Sequence, residues 1–371
     1  MRRLKERIKN YLISYPYNKF VRWIEIEVLG HLSKENKRLV NLTSDEINQI
    51  KTFTEPYFTT SGAFHDFYKQ HTGRFFAEYI PDDVYFTKID TFFNDWKKAF
   101  KLDDKCYYDR LLCKTVLKLP KTVCCRINGF WLTPEYKCIS EEKAKELIIS
   151  QGCAFLKKSV SSSGGKGVRY FNKSIYSNNE EQNRDLNKII EDLGDNIIVQ
   201  VPIEQSDSLS VLNPSSVNTL RILSLIRPDG TIKICSSIVR MGRQNMNVDN
   251  ASSGGITCGI GPDGRLKEIA FSAKGTRYTE HPDTGVRFSD VTVPGYSSVI
   301  DAIRKSHPQF PNFRLVSWDI AIDENNEPIL IELNLCCGEL DFHQLNNGPV
   351  FGDDTKNILA EVFKSATDTS K

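Results

Sequence analysis

The clearest alternation of apolar and polar positions lies near the end of the chain, in two apolar runs separated by a short polar segment. The runs occupy residues 316–322 and 328–333, and residues 323–327 between them are all acidic or amide side chains. Two such runs joined by turn-forming residues predict an antiparallel β-hairpin. Because successive side chains of a strand point to opposite faces, each strand should present one apolar face and one mixed face.

Three oxygen-bearing side chains, Asp319, Glu332 and Asn334, are set into this otherwise apolar hairpin. Two carboxylates placed together without a cation repel each other, and the pKa of one of them rises. A hard divalent cation such as Mg2+, which takes oxygen ligands and holds nucleotide phosphates, removes that conflict. The pattern therefore favours a magnesium–nucleotide site, and it leaves a solvated strand face open as the alternative.

The rest of the chain changes from a helical pattern to a mixed one. The pattern of residues 1 to about 100 predicts a mainly helical region rich in aromatic side chains, and Thr43 to Glu46 has the composition of a helix start. Beyond residue 103, helices and short strands alternate, which predicts an α+β protein. The predicted helices cover 107–116, 140–149 and 183–193, and the predicted strands cover 122–127, 129–132, 154–158, 167–171, 196–201, 220–226 and 231–241.

These changes of pattern divide the chain into three predicted parts. Residues 1–100 form a helical N-terminal region, residues 101–205 form an α+β lobe with a glycine-rich loop, and residues 206–371 form a second lobe with the metal site. A chain of 371 residues is long enough for two or three compact lobes with a sizeable core.

Composition narrows the class of protein. Hydrophobic residues make up 40% of the chain and charged residues 26%, which is ordinary for a soluble globular protein. The formal net charge of +2 argues against a general nucleic-acid binder, which carries a concentrated basic excess. No signal-peptide pattern and no apolar run of about 20 residues is visible, so we expect no transmembrane segment.

Cysteine usage points to a reducing compartment. The chain has ten cysteines, none of them in a C-x-x-C pair, and two pairs are adjacent, Cys124–Cys125 and Cys336–Cys337. Adjacent strand residues point to opposite faces and are poorly placed for a shared zinc ion or a disulfide. We therefore expect free thiols and a cytoplasmic location.

A serine- and glycine-rich loop connects two predicted strands between residues 155 and 168. Backbone N–H groups of such a loop can turn toward one point and hold a phosphate. It is not a Walker A loop, because Lys166 is followed by Gly167 and a β pattern and not by Ser or Thr and a helix. Lys157 and Lys158 should point to opposite faces, and we expect Lys158 to face the cleft; a plain hairpin tip with surface lysines is the alternative.

These features match one known pattern in chain order: a lysine opening a lobe, a strand lysine before a glycine-rich flap, a hinge strand, a strand arginine, and Asp with Glu-x-Asn. The chain thereby resembles the ATP-grasp superfamily, in particular the sugar-transfer-associated ATP-grasp proteins of bacterial surface-polysaccharide gene clusters. The resemblance covers about residues 101–351. The segments that support the narrower family are 216–221, 239–242, 249–255, 281–285 and 317–320.

The resemblance implies an α+β ATP-grasp fold, in which two α+β lobes clasp ATP, with a mainly helical N-terminal region. It implies that Arg221 and Arg240 stabilise charge on the transferring phosphoryl group, and that Asp319, Glu332 and Asn334 bind Mg2+. The implied ATP-binding residues are Lys105, Lys158, Gly164, Gly165, Lys166, Gly167, Gln200, Val201 and Ile203. The implied substrate-binding residues are Asn250, Gly254, Gly255 and His281.

Two departures from the common family pattern are visible. Ser159 follows the strand lysine where proline is frequent, and Gln200 occupies the hinge where an acidic residue is frequent. Both substitutions leave backbone contacts with the nucleotide intact in principle, and they alter the side chains available to adenine and ribose.

The resemblance implies an ATP- and Mg2+-dependent carboxylate–amine ligase that works through an acyl phosphate and modifies a surface polysaccharide or its precursor. Its partners would be the nucleotide, a glycan or sugar precursor, and an amine or amino acid. A phosphotransferase acting on a sugar hydroxyl is the alternative. We expect no nucleic-acid partner, and the oligomeric state, including a homo-oligomer, stays open.

Overall fold

The computed structural model describes residues 41–160, 167–243 and 254–368. Most of the candidate residues lie within these ranges. The exceptions, which lie outside the described residues, are Gly164, Gly165, Lys166 and Asn250.

The chain forms two compact units, each built from more than one chain segment. Unit one comprises residues 1–101, 312–315 and 335–371, and unit two comprises residues 102–311 and 316–334. The chain therefore passes between the two units four times. The three parts predicted from the sequence stay a prediction.

Helices occur in both units. In chain order the α-helices of the described residues are α1 Ser44–Thr54, α2 Ala63–Thr72, α3 Asp82–Val84, α4 Asp90–Phe93, α5 Trp96–Leu102, α6 Tyr108–Leu111, α7 Glu141–Ser150, α8 Asn179–Leu193, α9 Asp207–Ser210, α10 Tyr296–Ser306, α11 Asp341–Asn347 and α12 Thr355–Asp368. A π-helical turn spans Tyr85–Ile89, and 3₁₀ turns span Lys105–Tyr107, Lys173–Ile175, Phe288–Asp290, His307–Gln309 and Gly352–Asp354.

The strands form two sheets, both dominated by unit two. They are β1 Thr122–Ile127, β2 Phe130–Leu132, β3 Cys138–Ile139, β4 Cys153–Lys158, β5 Val168–Asn172, β6 Ile197–Gln200, β7 Thr219–Ile226, β8 Ile232–Met241, β9 Ile256–Ile260, β10 Leu266–Ser272, β11 Arg277–Tyr278, β12 Leu315–Ile322 and β13 Pro328–Asn334.

The first sheet has the strand order β3-β2-β1-β6-β4-β5. Each neighbouring pair in it is antiparallel. One face of the sheet is apolar and packs with the apolar faces of α7 and α8, since Ala154, Leu156 and Val199 share a buried cluster with Ile148 and Leu186. The opposite face is left to form a wall of the candidate site.

The second sheet has the order β11-β10-β9-β8-β7-β12-β13. The neighbours from β11 to β7 pair antiparallel, and so do β12 and β13. Every residue of β12 is buried, and the Trp318 indole donates to Ser224 Oγ at 2.7 Å. The helices and antiparallel pairings confirm the predicted α+β class, and the hairpin predicted from the apolar runs is confirmed as β12–β13.

Unit one is helical in its described residues, and it is held together by buried polar contacts as well as by its aromatic core. Gln344 Oε1 accepts from the Ile80 N–H at 3.0 Å, and its Nε2 donates to the Ile80 carbonyl at 2.8 Å. Asn94 makes the same kind of paired contact with Leu315. The amides satisfy backbone groups that would otherwise be buried without partners.

The helix boundaries show that side-chain capping hydrogen bonds set where a helix begins. Thr43 and Glu46 form the capping box that the sequence predicts, and α1 begins at Ser44. The helix predicted from residue 183 begins earlier, at Asn179, because the Asn178 side chain accepts from the Glu181 N–H at 2.9 Å. The helix predicted over 107–116 is shorter and ends at Leu111.

The structure also bears on the cysteines and on membrane-spanning helices. All ten cysteines are free thiols. Within the part of the chain that the structure describes, no helix combines the length and apolar character needed to cross a membrane.

Candidate active site

One face of the second sheet collects the charged side chains that the sequence scatters over more than a hundred residues. Four consecutive strands, β8, β7, β12 and β13, lie side by side there. Arg240 on β8 pairs with Thr219, and Arg221 is two positions further along β7, so both arginines point to the same face. Asp319 on β12 pairs directly with Glu332 on β13.

The two arginines enclose the Asp319 carboxylate. Arg221 donates to it through two nitrogens, Nε to Oδ1 at 2.8 Å and Nη2 to Oδ2 at 2.7 Å. Arg240 Nη1 lies 3.3 Å from Oδ2. Burial alone would raise the pKa of the Asp319 carboxyl, but the charges and hydrogen bonds of Arg221 and Arg240 outweigh it, so the pKa lies below its ordinary value.

A second ion pair lies beside the first. Lys105 Nζ is 2.7 Å from Glu332 Oε1, and the lysine side chain is only 8% exposed. Burial works to lower the pKa of Lys105, but the adjacent Glu332 carboxylate more than compensates, and the pKa is raised. Lys105 is therefore a fixed positive charge at the edge of the sheet.

Asn334 completes the group. Ser317 and Asn334 are cross-strand partners and lie two residues along their strands from the Asp319–Glu332 pair, on the same face. Asn334 Nδ2 lies 3.4 Å from the Ser317 carbonyl and 3.4 Å from Asp319 Oδ2. The structure thus brings together six of the residues that the sequence marks as candidates: Lys105, Arg221, Arg240, Asp319, Glu332 and Asn334.

A cavity of about 240 Å³ lies beside this group, between the two sheets of unit two. One wall comes from β1 and β6 of the first sheet, and the other comes from β13 of the second. Its lining is mainly apolar, with Lys105 and Gln200 among the polar members. The lining residues are Lys105, Cys106, Tyr108, Asp109, Leu119, Pro120, Thr122, Cys125, Pro134, Tyr136, Ile198, Gln200, Leu330 and Ile331.

The two adjacent lysines of β4 take the opposite orientation from the one expected. Lys157 pairs with Ile198, which lines the cavity, and Lys157 Nζ donates to Gln200 Oε1 at 3.1 Å. Lys158 pairs with Ile197, which belongs to the core beneath the helices. Directly opposed strand residues share a face, so Lys157 lies on the cavity face and Lys158 does not.

The predicted hinge residues differ in whether they line the cavity. Gln200 lines the cavity, and its side chain is held by Lys157. The Val201 N–H already donates to the Lys121 carbonyl at 2.9 Å, and Ile203 is half-buried. Gly167, the one described residue of the 164–167 flap, accepts from the Lys158 N–H at 2.8 Å.

The predicted substrate-binding residues Gly254, Gly255 and His281 do not line this 240 Å³ cavity. Gly254 adopts a φ of +96°, a conformation that suits glycine, and Gly255 is buried directly before β9. His281 is buried, its Nε2 contacts the Gly242 carbonyl at 3.0 Å, and its Nδ1 accepts from the Asp283 N–H at 3.3 Å. Both ring nitrogens are thus used within the protein, which favours a structural role over the predicted substrate contact.

The oxygen atoms of Asp319, Glu332 and Asn334 are of the type that Mg2+ requires. Among the described residues, no three His, Cys, Asp or Glu side chains form a group that could hold a metal ion by themselves. The three residues offer two carboxylates and one amide, and both carboxylates already bind cationic side chains. These three side chains therefore suit a magnesium ion that also takes oxygen ligands from a nucleotide phosphate. They suit less well a magnesium ion bound by protein side chains alone.

Three residues of the site gave no signal in the sequence. Tyr108 lines the cavity, and its hydroxyl accepts from the Leu333 N–H at 3.5 Å. Burial, reinforced by the Glu332 charge, raises its pKa well above the ordinary value, so the phenol stays protonated. Cys106 and Cys125 also line the cavity. In the sequence an aromatic or thiol side chain has the character of a core residue, and only the tertiary fold distinguishes a core position from a cavity wall.

Comparison with solved structures finds proteins with similar folds at low identity. The biotin carboxylase domain of the 2-oxoglutarate carboxylase of Hydrogenobacter thermophilus, solved with MgADP, ADP and bicarbonate, is 14% identical with a TM-score of 0.42, and the match covers 71% of this chain and 46% of that one. Biotin carboxylase of Campylobacter jejuni is 13% identical with a TM-score of 0.42, over 71% and 47%. The ATP-grasp ligase PsnB is 13% identical with a TM-score of 0.39, over 71% and 62%.

The chain spans about half the length of the biotin carboxylase chains that it matches. Comparison with curated proteins finds no match. The family model described as sugar-transfer associated ATP-grasp matches residues 87–360, which is most of the chain and includes every described candidate residue. The chain belongs to the sugar-transfer associated ATP-grasp family.

Proposed function

We propose that this protein is an ATP-dependent carboxylate–amine ligase that acts through an acyl phosphate and modifies a sugar-containing substrate. The observation that carries the proposal is the group of three cations and two carboxylates on one sheet face beside the cavity. Family membership supports the use of ATP, and the family's description supports a substrate from sugar transfer.

The charge balance of the site suits a triphosphate. Lys105, Arg221 and Arg240 contribute three positive charges against two negative charges from Asp319 and Glu332, which leaves one net positive charge. Phosphoryl transfer depends mainly on positioning and on compensating negative charge that spreads over the phosphoryl oxygens. Buried guanidinium groups supply that compensation at fixed positions, and their planar geometry matches oxyanions.

The proposed reaction has two steps. In the first, a carboxylate oxygen of the substrate attacks the γ-phosphorus of ATP, the bond from that phosphorus to the bridging oxygen breaks, and ADP leaves. In the second, an amine attacks the acyl carbon of the acyl phosphate, the acyl C–O bond to phosphate breaks, and the amine loses a proton. The products are an amide, ADP and inorganic phosphate.

Each part of the site has a proposed role in this two-step reaction. The cavity between the sheets holds the adenine base against Ile198 and Leu330, with Gln200 at its edge. Lys105 and Lys157 hold phosphate oxygens, and Arg221 and Arg240 compensate charge on the transferring group. Asp319, Glu332 and Asn334 would hold Mg2+, which when bound neutralises phosphate charge and polarises the γ-phosphoryl group.

The ion pairs of Asp319 bear on how a magnesium nucleotide would bind. Arg221 and Arg240 both bind the Asp319 carboxylate. A triphosphate carries more negative charge than one carboxylate, so we propose that both arginines turn from Asp319 toward the phosphates as the magnesium nucleotide binds. Asp319 then becomes available as a metal ligand without being left as an isolated buried charge.

A hydroxylamine trap tests the proposal. With ATP, Mg2+ and uronic-acid or other carboxylate-bearing sugars, hydroxylamine should capture the acyl phosphate as a hydroxamate while ADP accumulates. A sugar phosphate formed without any hydroxamate would support the phosphotransferase alternative instead. ADP release that does not depend on a carboxylate would contradict the ligase proposal.

A site variant links that activity to the proposed residues. Glu332→Gln removes one carboxylate charge with little change in shape, and we expect turnover to fall by at least about a hundredfold. The control is Glu324→Gln, which changes an exposed carboxylate in the turn of the same hairpin and should leave turnover unchanged. Equal activity of both variants would contradict the assignment of Glu332.

A further inference from the structure

The loop between β2 and β3 contacts the chain segment that carries Lys105. Within residues 133–137 the Tyr136 N–H donates to the Thr133 carbonyl at 2.9 Å, and Tyr136 adopts a φ of +60°. A left-handed backbone conformation is unfavourable for a bulky aromatic residue, and it persists where surrounding contacts hold it. Both Pro134 and Tyr136 of this loop line the cavity.

Three contacts join Tyr136 to the residues that follow Lys105. Its hydroxyl oxygen lies 2.7 Å from the Cys106 carbonyl oxygen and 2.5 Å from Asp109 Oδ1, two acceptors for its single proton. The Arg110 guanidinium lies over the Tyr136 ring, with its central carbon 3.4 Å from the ring centroid. Burial and the hydrogen bond with Asp109 raise the pKa of Tyr136, so the hydroxyl keeps its proton and remains a donor.

The backbone around Lys105 is therefore held from two directions. The Lys105 N–H donates to the carbonyl of Ser159, directly after β4, at 2.9 Å. The carbonyl of the next residue, Cys106, lies at the Tyr136 hydroxyl. The Lys105 side chain then reaches Glu332 Oε1 at 2.7 Å. Because a lysine ammonium group sits on a flexible four-carbon stem, its position depends on how firmly the backbone beneath it is fixed.

We propose that Tyr136 is a positioning residue that fixes the Lys105 ammonium group beside Glu332. Its hydroxyl and its ring hold residues 106–110, and through them the 3₁₀ turn that begins at Lys105. The effect on nucleotide binding rests on the proposed function, in which Lys105 holds phosphate oxygens. The effect on Lys105 itself does not.

Tyr136→Phe isolates the role of the hydroxyl. The variant keeps the aromatic ring beneath the Arg110 guanidinium, and it removes the donor that faces Cys106 and Asp109. The matched control is Tyr107→Phe, which removes the hydroxyl of a tyrosine in the same 3₁₀ turn whose side chain is 41% exposed.

The reactivity of each lysine in the folded full-length protein is measured with a limiting amount of acetic anhydride and peptide mass spectrometry. Only a neutral, accessible amine reacts, and Lys105 is 8% exposed and paired with Glu332, which raises its pKa. In Tyr136→Phe, Lys105 should react about threefold faster or more, with Lys157 unchanged. In Tyr107→Phe both lysines should react as in the wild type.

Two outcomes of the labelling would overturn the positioning role. One is equal reactivity of Lys105 in the wild type and in Tyr136→Phe. The other is a rise at Lys157 as large as the rise at Lys105, because that would report a general loosening of the cavity walls and not a change at one side chain.

Binding of ATP and of adenosine, both with Mg2+, tests the consequence for the proposed function. Tyr136→Phe should weaken ATP binding by about fivefold and leave adenosine binding unchanged, because adenosine has no phosphate for Lys105 to hold. Calorimetry measures ATP, and ligand-observed nuclear magnetic resonance measures adenosine. Equal weakening of both ligands would overturn the role of Tyr136 in positioning Lys105, since damage to the cavity would weaken both.

The two measurements separate this inference from the proposed function. Raised Lys105 reactivity with unchanged ATP affinity would overturn the consequence for nucleotide binding alone. If the wild type binds neither ATP nor adenosine, the proposed function fails, while the lysine reactivities still decide whether Tyr136 positions Lys105.

Discussion

At the scale of single residues, the site is defined by charges that compensate one another inside the protein. Asp319 is 4% exposed and accepts from both arginines, so its charge is buried but paired. Breaking such a pair leaves an uncompensated buried charge, which is far more costly than losing an exposed pair. The sequence marked Asp319, Glu332 and Asn334 through polar positions in apolar runs, but it contained no sign that Arg221 would be the partner of Asp319.

The two lysines of β4 give a residue-scale prediction. We expect Lys157→Met to weaken ATP binding by about tenfold, because Lys157 lies on the cavity face beside Gln200 and the variant would lose the proposed contact with phosphate. Lys158→Met, the matched control at the neighbouring position, should change affinity by less than about twofold. Calorimetric titration with ATP and Mg2+ measures both, and a larger loss in Lys158→Met would restore the assignment expected from the sequence.

A buried histidine in unit one gives a pH prediction. Burial lowers the pKa of His65 from 6.5 to about 4, although its contact with the Ala77 carbonyl acts in the other direction. The unfolded chain therefore binds more protons than the folded one between these values, and the stability that neutral His65 contributes is lost as the pH falls from about 6.5 to about 4.

The measurement compares wild type with His65→Gln, which cannot titrate in this range. Relative to the variant, the wild type should lose about 2 kcal/mol of unfolding free energy between pH 7.5 and pH 5. Urea unfolding at the two pH values gives the difference. A gap between the two proteins that stays constant with pH would contradict the assignment.

At the scale of elements, helix starts follow local hydrogen bonding, and strand faces follow register. The capping box at Thr43 and Glu46 could be read directly from the sequence. The bulge in β13 could not, since Asp319 pairs with Glu332 whereas the next residue, Ile320, pairs with Leu330. The bulge inserts Ile331 into the ladder, so alternation counted from Glu332 no longer fixes the face that Leu330 takes.

The early start of α8 gives an element-scale prediction. Asn178 caps the helix through its contact with the Glu181 N–H, so Asn178→Ala should lower the unfolding free energy by about 1 kcal/mol. The matched control, Asn179→Ala, changes the first helical residue and should be neutral or slightly stabilising. Denaturant unfolding distinguishes the two variants, and equal stability would mean that the cap contributes nothing.

At the scale of the whole molecule, the described structure assigns the candidate site to unit two. Unit two holds both walls of the cavity and all six clustered candidates, whereas the family match at residues 87–360 extends into unit one. Ligand binding should therefore stabilise unit two selectively, because a ligand stabilises only the state that contains its site.

A whole-molecule prediction follows from that linkage. ATP with Mg2+ at about a hundred times its dissociation constant should stabilise unit two by about 2.7 kcal/mol, and removing Mg2+ with a chelator should abolish most of the gain. Hydrogen exchange, read separately on peptides from α8 in unit two and α2 in unit one, measures the effect. Equal protection of both helices, or protection that persists without Mg2+, would contradict the proposed site.

The sequence alone determined the α+β class, the β12–β13 hairpin, most strand positions and the family, because apolar periodicity and local turn and cap chemistry are properties of neighbouring residues. Only the tertiary structure decided that Lys157 and not Lys158 faces the cavity, and that Arg221 and Arg240 enclose Asp319. Strand order, register and a one-residue bulge fix those contacts. All three depend on which distant segments pair, and that is settled by packing of the whole fold.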